Sequence, residues 1–197
     1  MRKICSKRIR FILKIMPLLA LSLCVAQSEP HDASKQQTIF SAEEEFEHPV
    51  VLPSAALKAL ETSKLSAEML RDCALDEGIK VSEIPASWFV GSWIELSRGR
   101  SSGLVVGAKP VCFWGAHITQ FWLLSKDGDD YNVVFTGRAD AFEVLSKRTN
   151  GYCDVELIFA GQAGAEITSV TFEYANGEYT ESDSSTERPY DNDDKSR

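Results

Sequence analysis

The chain has 197 residues, a formal net charge of −8 and an isoelectric point near 5.0. This length suits one domain with tails. An acidic protein is repelled by phosphate backbones, which argues against nucleic-acid binding. The sequence has neither a CxxC motif nor a Cys/His cluster, so we expect no structural metal site and no cofactor.

The first 26 residues have the pattern of a secretory signal peptide. Six basic residues accompany a mostly apolar run of fifteen that ends at Val25, and Ala26 is small enough for a cleavage position. The run is short for a membrane-spanning helix. Two alternatives stay open, an uncleaved N-terminal anchor and lipidation of Cys24 in a lipoprotein-like box. We predict an exported protein, periplasmic or secreted, that touches a membrane only through an uncleaved signal or a lipidated Cys24.

Removal of this signal would make the protein more acidic. Taking six basic residues from 21 leaves 15 against 29 acidic residues, a net charge of −14. Three cysteines would remain, Cys73, Cys112 and Cys153. In an oxidising compartment the simplest arrangement is one disulfide and one free thiol. These considerations leave the pairing open.

Composition divides the rest of the chain into three parts. Residues 27–52 are polar and acidic with few apolar anchors, which predicts a flexible linker. Residues 180–197 are equally poor in apolar side chains, which predicts a disordered acidic tail. The foldable part is therefore a single domain at residues 53–179.

The first third of this domain has helical signals. Pro53 opens a short helix in which Leu57 and Leu60 share one face. A second helix begins after Ser66, a suitable N-cap, and ends at Gly78, where a residue with positive φ is favoured.

From Trp88 onward the pattern is that of strands. Apolar and β-branched residues dominate, and turn signals recur at residues 127–130, 150–151 and 176–177. No helix-length segment separates the strands, so their pairing should be antiparallel. The sequence thus predicts an α+β fold with an N-terminal helical segment packed on an antiparallel sheet of six or seven strands.

Four residues are candidates for a binding site, and none is assigned a catalytic role. An exposed Trp114 near His117 and Arg148 would suit carbohydrate or peptide recognition. His117 could also act as a general base if a carboxylate oriented it. Arg148 and Asp154 flank the turn at residues 150–151, where they either pair across the hairpin or contribute to a binding site.

Five different short motifs follow one another along the chain in a characteristic order. They are residues 84–89, Cys112 with residues 115–117, Phe121 with Trp122, residues 148–154 and residues 172–179. Over about residues 55–180 this order resembles a group of small exported bacterial proteins of uncharacterised function. The pattern of that group is Cys-x-x-Gly-Ala-Asn, Phe-Trp, Thr-x-Gly-Tyr-x-Asp and Phe-Asp-Gly-x-x-Tyr, after a helix that ends in Cys.

The resemblance has consequences for the cysteines. Cys73 and Cys112 match the two cysteines of the pattern, which implies a disulfide between them and leaves Cys153 as the odd thiol. His117 stands where the pattern has Asn. The resemblance implies an exported compartment and a fold, but no activity.

These observations favour a non-enzymatic domain of the bacterial envelope that binds an unidentified protein or cell-wall ligand. An inhibitor of a basic hydrolase such as lysozyme is one concrete version. The alternative is a small envelope hydrolase that uses carboxylates with His117. A third hypothesis is that the protein is an accessory subunit of a larger envelope assembly.

Overall fold

The computed structural model describes residues 36–99, 101–115, 117–161 and 165–188. The predicted signal peptide and Cys24 lie outside the described residues, as does the tail after residue 188. The described elements, in chain order, are β1 (Ile39–Ser41), α1 (Ser54–Thr62), α2 (Ala67–Asp76), β2 (Phe89–Ser97), β3 (Ser101–Ala108), β4 (Thr119–Asp127), β5 (Asp130–Ala139), β6 (Ala141–Thr149), β7 (Tyr152–Ala160), β8 (Ile167–Ala175) and β9 (Glu178–Glu187). Within this part of the chain, no helix is long and apolar enough to cross a membrane.

One antiparallel sheet contains all of these strands. Its order is β1-β6-β7-β2-β3-β4-β5, with β8 paired to β7 and β9 paired to β8. Strand β7 meets β2 only where Ser97 lies opposite Tyr152. Because this junction is so short, the two halves of the sheet can fold towards each other, and β5 contacts both β7 and β9.

The predicted fold class is wrong in the proportion of strand to helix and in the order of these elements along the chain. The described residues form nine strands and two α-helices, so the sheet is larger than the six or seven strands expected. The helices are not N-terminal either, because β1 precedes them and pairs with β6 through Phe40 and Phe142. Strand β1, and all of β9 except its first two residues, fall in segments whose composition predicted linker and tail.

The described part of the predicted linker, residues 36–52, is structured. The side chains of Phe40, Phe46 and Leu52 are buried in the core. Gln36 adds a hydrogen bond, since its Oε1 accepts from the backbone N–H of Glu95 at 2.9 Å. Three widely spaced apolar side chains thus anchor a segment whose average composition is polar.

The predicted acidic tail also begins as a strand. Strand β9 pairs with β8 from Glu178, opposite Ala175, to Glu187, opposite Ile167. Apart from Tyr179 its side chains are exposed. Backbone hydrogen bonds to β8, rather than side-chain burial, therefore hold this strand, and composition gave no sign of them.

Buried side chains form two clusters on opposite faces of the central strands. In β4, Phe121 and Leu123 belong to the cluster enclosed by the folded sheet. Their neighbours Trp122 and Leu124 belong to the cluster beneath α1 and α2, which also contains Leu60. This alternation follows from the two-residue period of a strand and leaves β4 covered on both faces.

A disulfide fastens the helical layer to the sheet. Cys73 of α2 is bonded to Cys112 in the short 3-10 helix Val111–Phe113, with Cα atoms 5.4 Å apart. This confirms the pair that the family resemblance implied. Cys153 is a free, buried cysteine.

Candidate functional site

A cavity of about 370 Å³ lies where the segment after β1 passes the ends of β3 and β4. Its volume falls in the range usual for ligand sites. We call it the acidic cavity, and the residues that define it are Glu43, Glu44, Glu45, Phe46, Trp114 and Phe121.

Buried residues on both sides hold the three glutamates at the rim of the cavity. Ala42 is buried, and its N–H donates to the carbonyl of Asp140 at 2.8 Å. Phe46 is buried beside Gly107, where an added Cβ would lie only 3.1 Å from the phenylalanine ring. The intervening loop is tightened by Ser41, whose hydroxyl accepts from the N–H of Glu43 at 3.1 Å. The glutamate side chains are therefore exposed on a loop that is anchored at both ends.

Trp114 completes the rim in a defined orientation. Its Nε1–H donates to the carbonyl of Ala108 at 3.1 Å. The hydroxyl of Thr119 donates to the same carbonyl at 3.2 Å. The indole nevertheless stays 41 % exposed. Since its polar edge is already bonded, the ring can offer its face to a ligand.

His117 meets a carboxylate of this rim. Its Nδ1 lies 2.8 Å from Oε1 of Glu43, and both side chains are largely exposed. An exposed ion pair of this kind adds little to stability. The structure thus places Trp114 in the lining of the acidic cavity and His117 beside its rim, in contact with the rim residue Glu43.

Arg148 lies in a different place. Its Nη1 donates to the carbonyl of Leu96 at 3.0 Å, and its Nη2 lies 3.7 Å from Oε1 of Glu95. Leu96 is six residues along β2 from Val90, which lines the acidic cavity. At the rise of a strand, Leu96 and Val90 are about 20 Å apart along β2, so Arg148 contacts this strand far from the cavity. The four predicted residues therefore do not form one site.

Asp154 is paired with Lys147 instead of Arg148. The fully buried Asp154 carboxylate has its Oδ2 3.1 Å from Nζ of Lys147, which also bonds Oε1 of Glu173 at 2.6 Å. The expected Arg148–Asp154 pair is replaced because Arg148 lies opposite Cys153 in the register. Directly opposed residues share a face of the sheet, so Asp154 points to the other face.

Among the described residues, Lys147 is the cation that pairs with the buried Asp154 carboxylate. Neither of its oxygens accepts a hydrogen bond within the described part of the chain, so the ion pair with Lys147 compensates its charge. The hydrogen bond to Glu173, and then the contact with Asp154, raise the pKa of the Lys147 ammonium. On the opposite face, burial raises the pKa of the Cys153 thiol, which favours its protonated form. The contacts of Lys147 thus join β6 to Asp154 of β7 and to Glu173 of β8.

Sequence reasoning missed the part of the cavity that comes from the assigned linker. Glu43, Glu44, Glu45 and Phe46 were all placed there. The available signal was an aromatic residue directly after three glutamates, since a lone aromatic in a polar stretch can anchor it to a core.

Comparison with protein-family models, with curated proteins and with solved structures finds no match to this chain. The resemblance to exported bacterial proteins therefore stays a prediction. Among the residues that the structure describes, no group of three His, Cys, Asp or Glu side chains is placed to hold a metal ion.

Proposed function

We propose that the protein is an exported, non-enzymatic domain of the bacterial envelope that binds a protein or cell-wall ligand at the acidic cavity. The observation that carries this proposal is the pairing of an exposed, oriented Trp114 with a concave apolar floor that includes Phe46 and the half-buried Val90. Ligand sites are typically concave and mostly apolar, with a few polar groups that set specificity. Tryptophan is also enriched among the residues that dominate binding energy at interfaces.

Charge favours a basic partner. The lining contributes Glu43, Glu44 and Glu45 against a single lysine, Lys109. The whole chain is acidic as well, with a formal net charge of −8. Opposite charge on a partner would speed association, and salt would screen that effect. In its most specific form, the proposal is that this protein inhibits a basic hydrolase such as lysozyme.

A capture experiment with matched variants tests the proposal. Protein produced from the full coding sequence serves as bait for an envelope extract and, separately, for a purified basic lysozyme. Trp114→Ala should abolish capture, whereas Trp93→Ala, which removes a half-buried tryptophan packed on Tyr131 away from the cavity, should not. Capture of the same proteins by all three baits, or by none, would refute binding at this site.

A second candidate function is a small hydrolase that uses His117. The contact between Glu43 Oε1 and His117 Nδ1 at 2.8 Å favours it, because a carboxylate commonly orients a histidine that acts as a general base. Peptidoglycan and ester hydrolysis should then be lost in His117→Ala and kept in His48→Ala, which removes another exposed histidine. Hydrolysis that is absent from the folded protein, or unchanged in His117→Ala, would remove this candidate.

A further inference from the structure

We infer that the acidic cavity binds a lysine or arginine side chain of a basic peptide, with its apolar stem inside and its cationic head among the glutamates. The inference rests on the proposed function, because it names the ligand class of the same site. It combines three properties of the cavity: an apolar floor, an excess of carboxylates at the rim and an aromatic face beside them.

The floor suits a long aliphatic stem. Val90 is a half-buried side chain of the lining, and Phe46 and Ala108 beside it keep 6 % and 4 % of their surface accessible. Lysine and arginine bury their methylene stems against such surfaces while the charged head stays in water. A cavity of about 370 Å³ leaves room for such a side chain.

The rim suits a cationic head. Three glutamates face one lysine in the lining, so an anionic ligand would meet net repulsion there. Glu43 is already engaged by His117. We therefore assign Glu44 and Glu45 to the incoming cation, as both are exposed at the rim.

Trp114 adds an attraction that is specific for cations. A cation within about 6 Å of an indole centroid is attracted by the electrons of the ring face. The protein already uses this contact elsewhere, where Nζ of Lys126 lies 5.5 Å from the centroid of the Trp93 ring. A carboxylate on one side and an indole face on the other would hold an ammonium or guanidinium group in preference to a neutral one.

Two matched peptides test the inference on protein produced from the full coding sequence. Acetyl-Ala-Lys-Ala-amide and acetyl-Ala-norleucine-Ala-amide have the same stem and differ in charge. In a ¹H–¹⁵N NMR titration, the lysine peptide should bind with a Kd about tenfold lower, the ratio typical of a charge-assisted contact. The shifts should centre on residues 43–46 and Trp114, and about 0.5 M salt should weaken only the lysine peptide.

Two double variants distinguish the effect of the local carboxylates on the Kd from the effect of the overall charge. Glu44→Gln with Glu45→Gln should raise the Kd of the lysine peptide about fivefold, and the small preference over the norleucine peptide that is left should come from Trp114 and Glu43. The control, Glu181→Gln with Glu187→Gln, removes the same charge from exposed positions of β9 and should change the Kd less than about twofold. Equal losses in the two variants would show long-range attraction without a site, and would overturn the inference.

The outcomes also distinguish this inference from the proposed function. If both peptides bind the cavity equally well, the cavity is a ligand site but the cation assignment is wrong. If neither peptide shifts the cavity signals, the inference fails, while Trp114-dependent capture from the extract still decides whether the cavity binds a ligand of another class.

Discussion

Removal of the Cys73–Cys112 disulfide should cost a large share of the stability of the fold. The bond spans 39 residues. For a loop of this length, the entropy lost by the unfolded chain corresponds to about 4 kcal/mol at 25 °C. Domains of this kind are stable by only about 5–15 kcal/mol, so Cys73→Ala with Cys112→Ala should leave a marginal protein. Because Trp114 follows Cys112 by two residues, ligand binding at the acidic cavity should weaken as well.

Urea unfolding, followed by tryptophan fluorescence and circular dichroism, measures this loss. The double variant and the reduced wild-type protein should share one lowered free energy of unfolding. Cys153→Ala is the control, since it removes the free thiol and keeps the disulfide. A loss below about 1 kcal/mol in the double variant, with an unchanged urea dependence, would refute the reasoning.

Three further predictions concern the two cores. Leu60→Ala should cost about 2–5 kcal/mol in urea unfolding, because Leu60 is a fully buried residue of α1. The matched control for this variant is Leu75→Ala, at a position that is 76 % exposed, which should change stability by less than about 0.5 kcal/mol. Burial raises the pKa of Tyr179 above its ordinary value of 10.0, so this tyrosine stabilises the fold below pH 10 and progressively less above it. Tyr179→Phe should therefore flatten the fall of stability above about pH 10, and an unchanged slope there would contradict the burial of the hydroxyl. Cys153 should resist Ellman's reagent at about pH 8 until the protein is unfolded, whereas rapid native labelling would contradict its raised pKa.

Sequence patterns succeeded where side-chain burial determines an element. The apolar run from Phe121 to Leu124 predicts a strand, and it forms the doubly covered centre of β4. Gly78 was expected to end α2 with positive φ, and its φ is 70°. Both signals are local, because each depends on a few adjacent residues.

The patterns failed where long-range pairing determines the structure. Strand β9 has a single buried side chain, Tyr179, and its position depends on the backbone of β8. The partner of Asp154 could not be found by proximity to the turn, because it depends on the register of β6 with β7. Once that register is known, the alternation of faces assigns Lys147 rather than Arg148.

For the binding site, the aromatic and histidine residues were predictable but their surroundings were not. The sequence alone indicated Trp114 and His117 as candidates for a binding site. The glutamates that give the cavity its charge come from a distant segment, in which Glu43 precedes His117 by 74 residues, and the burial of Phe46 anchors that segment at the cavity. Export and attachment to the envelope stay predictions.

The most direct test of the account is a crystal structure of the protein with acetyl-Ala-Lys-Ala-amide at saturating concentration. We expect the lysine stem on the floor formed by Phe46 and Val90, with its ammonium between the Trp114 ring and the carboxylates of Glu44 and Glu45. A peptide bound on another surface, with no lysine side chain in the acidic cavity, would contradict the central claim.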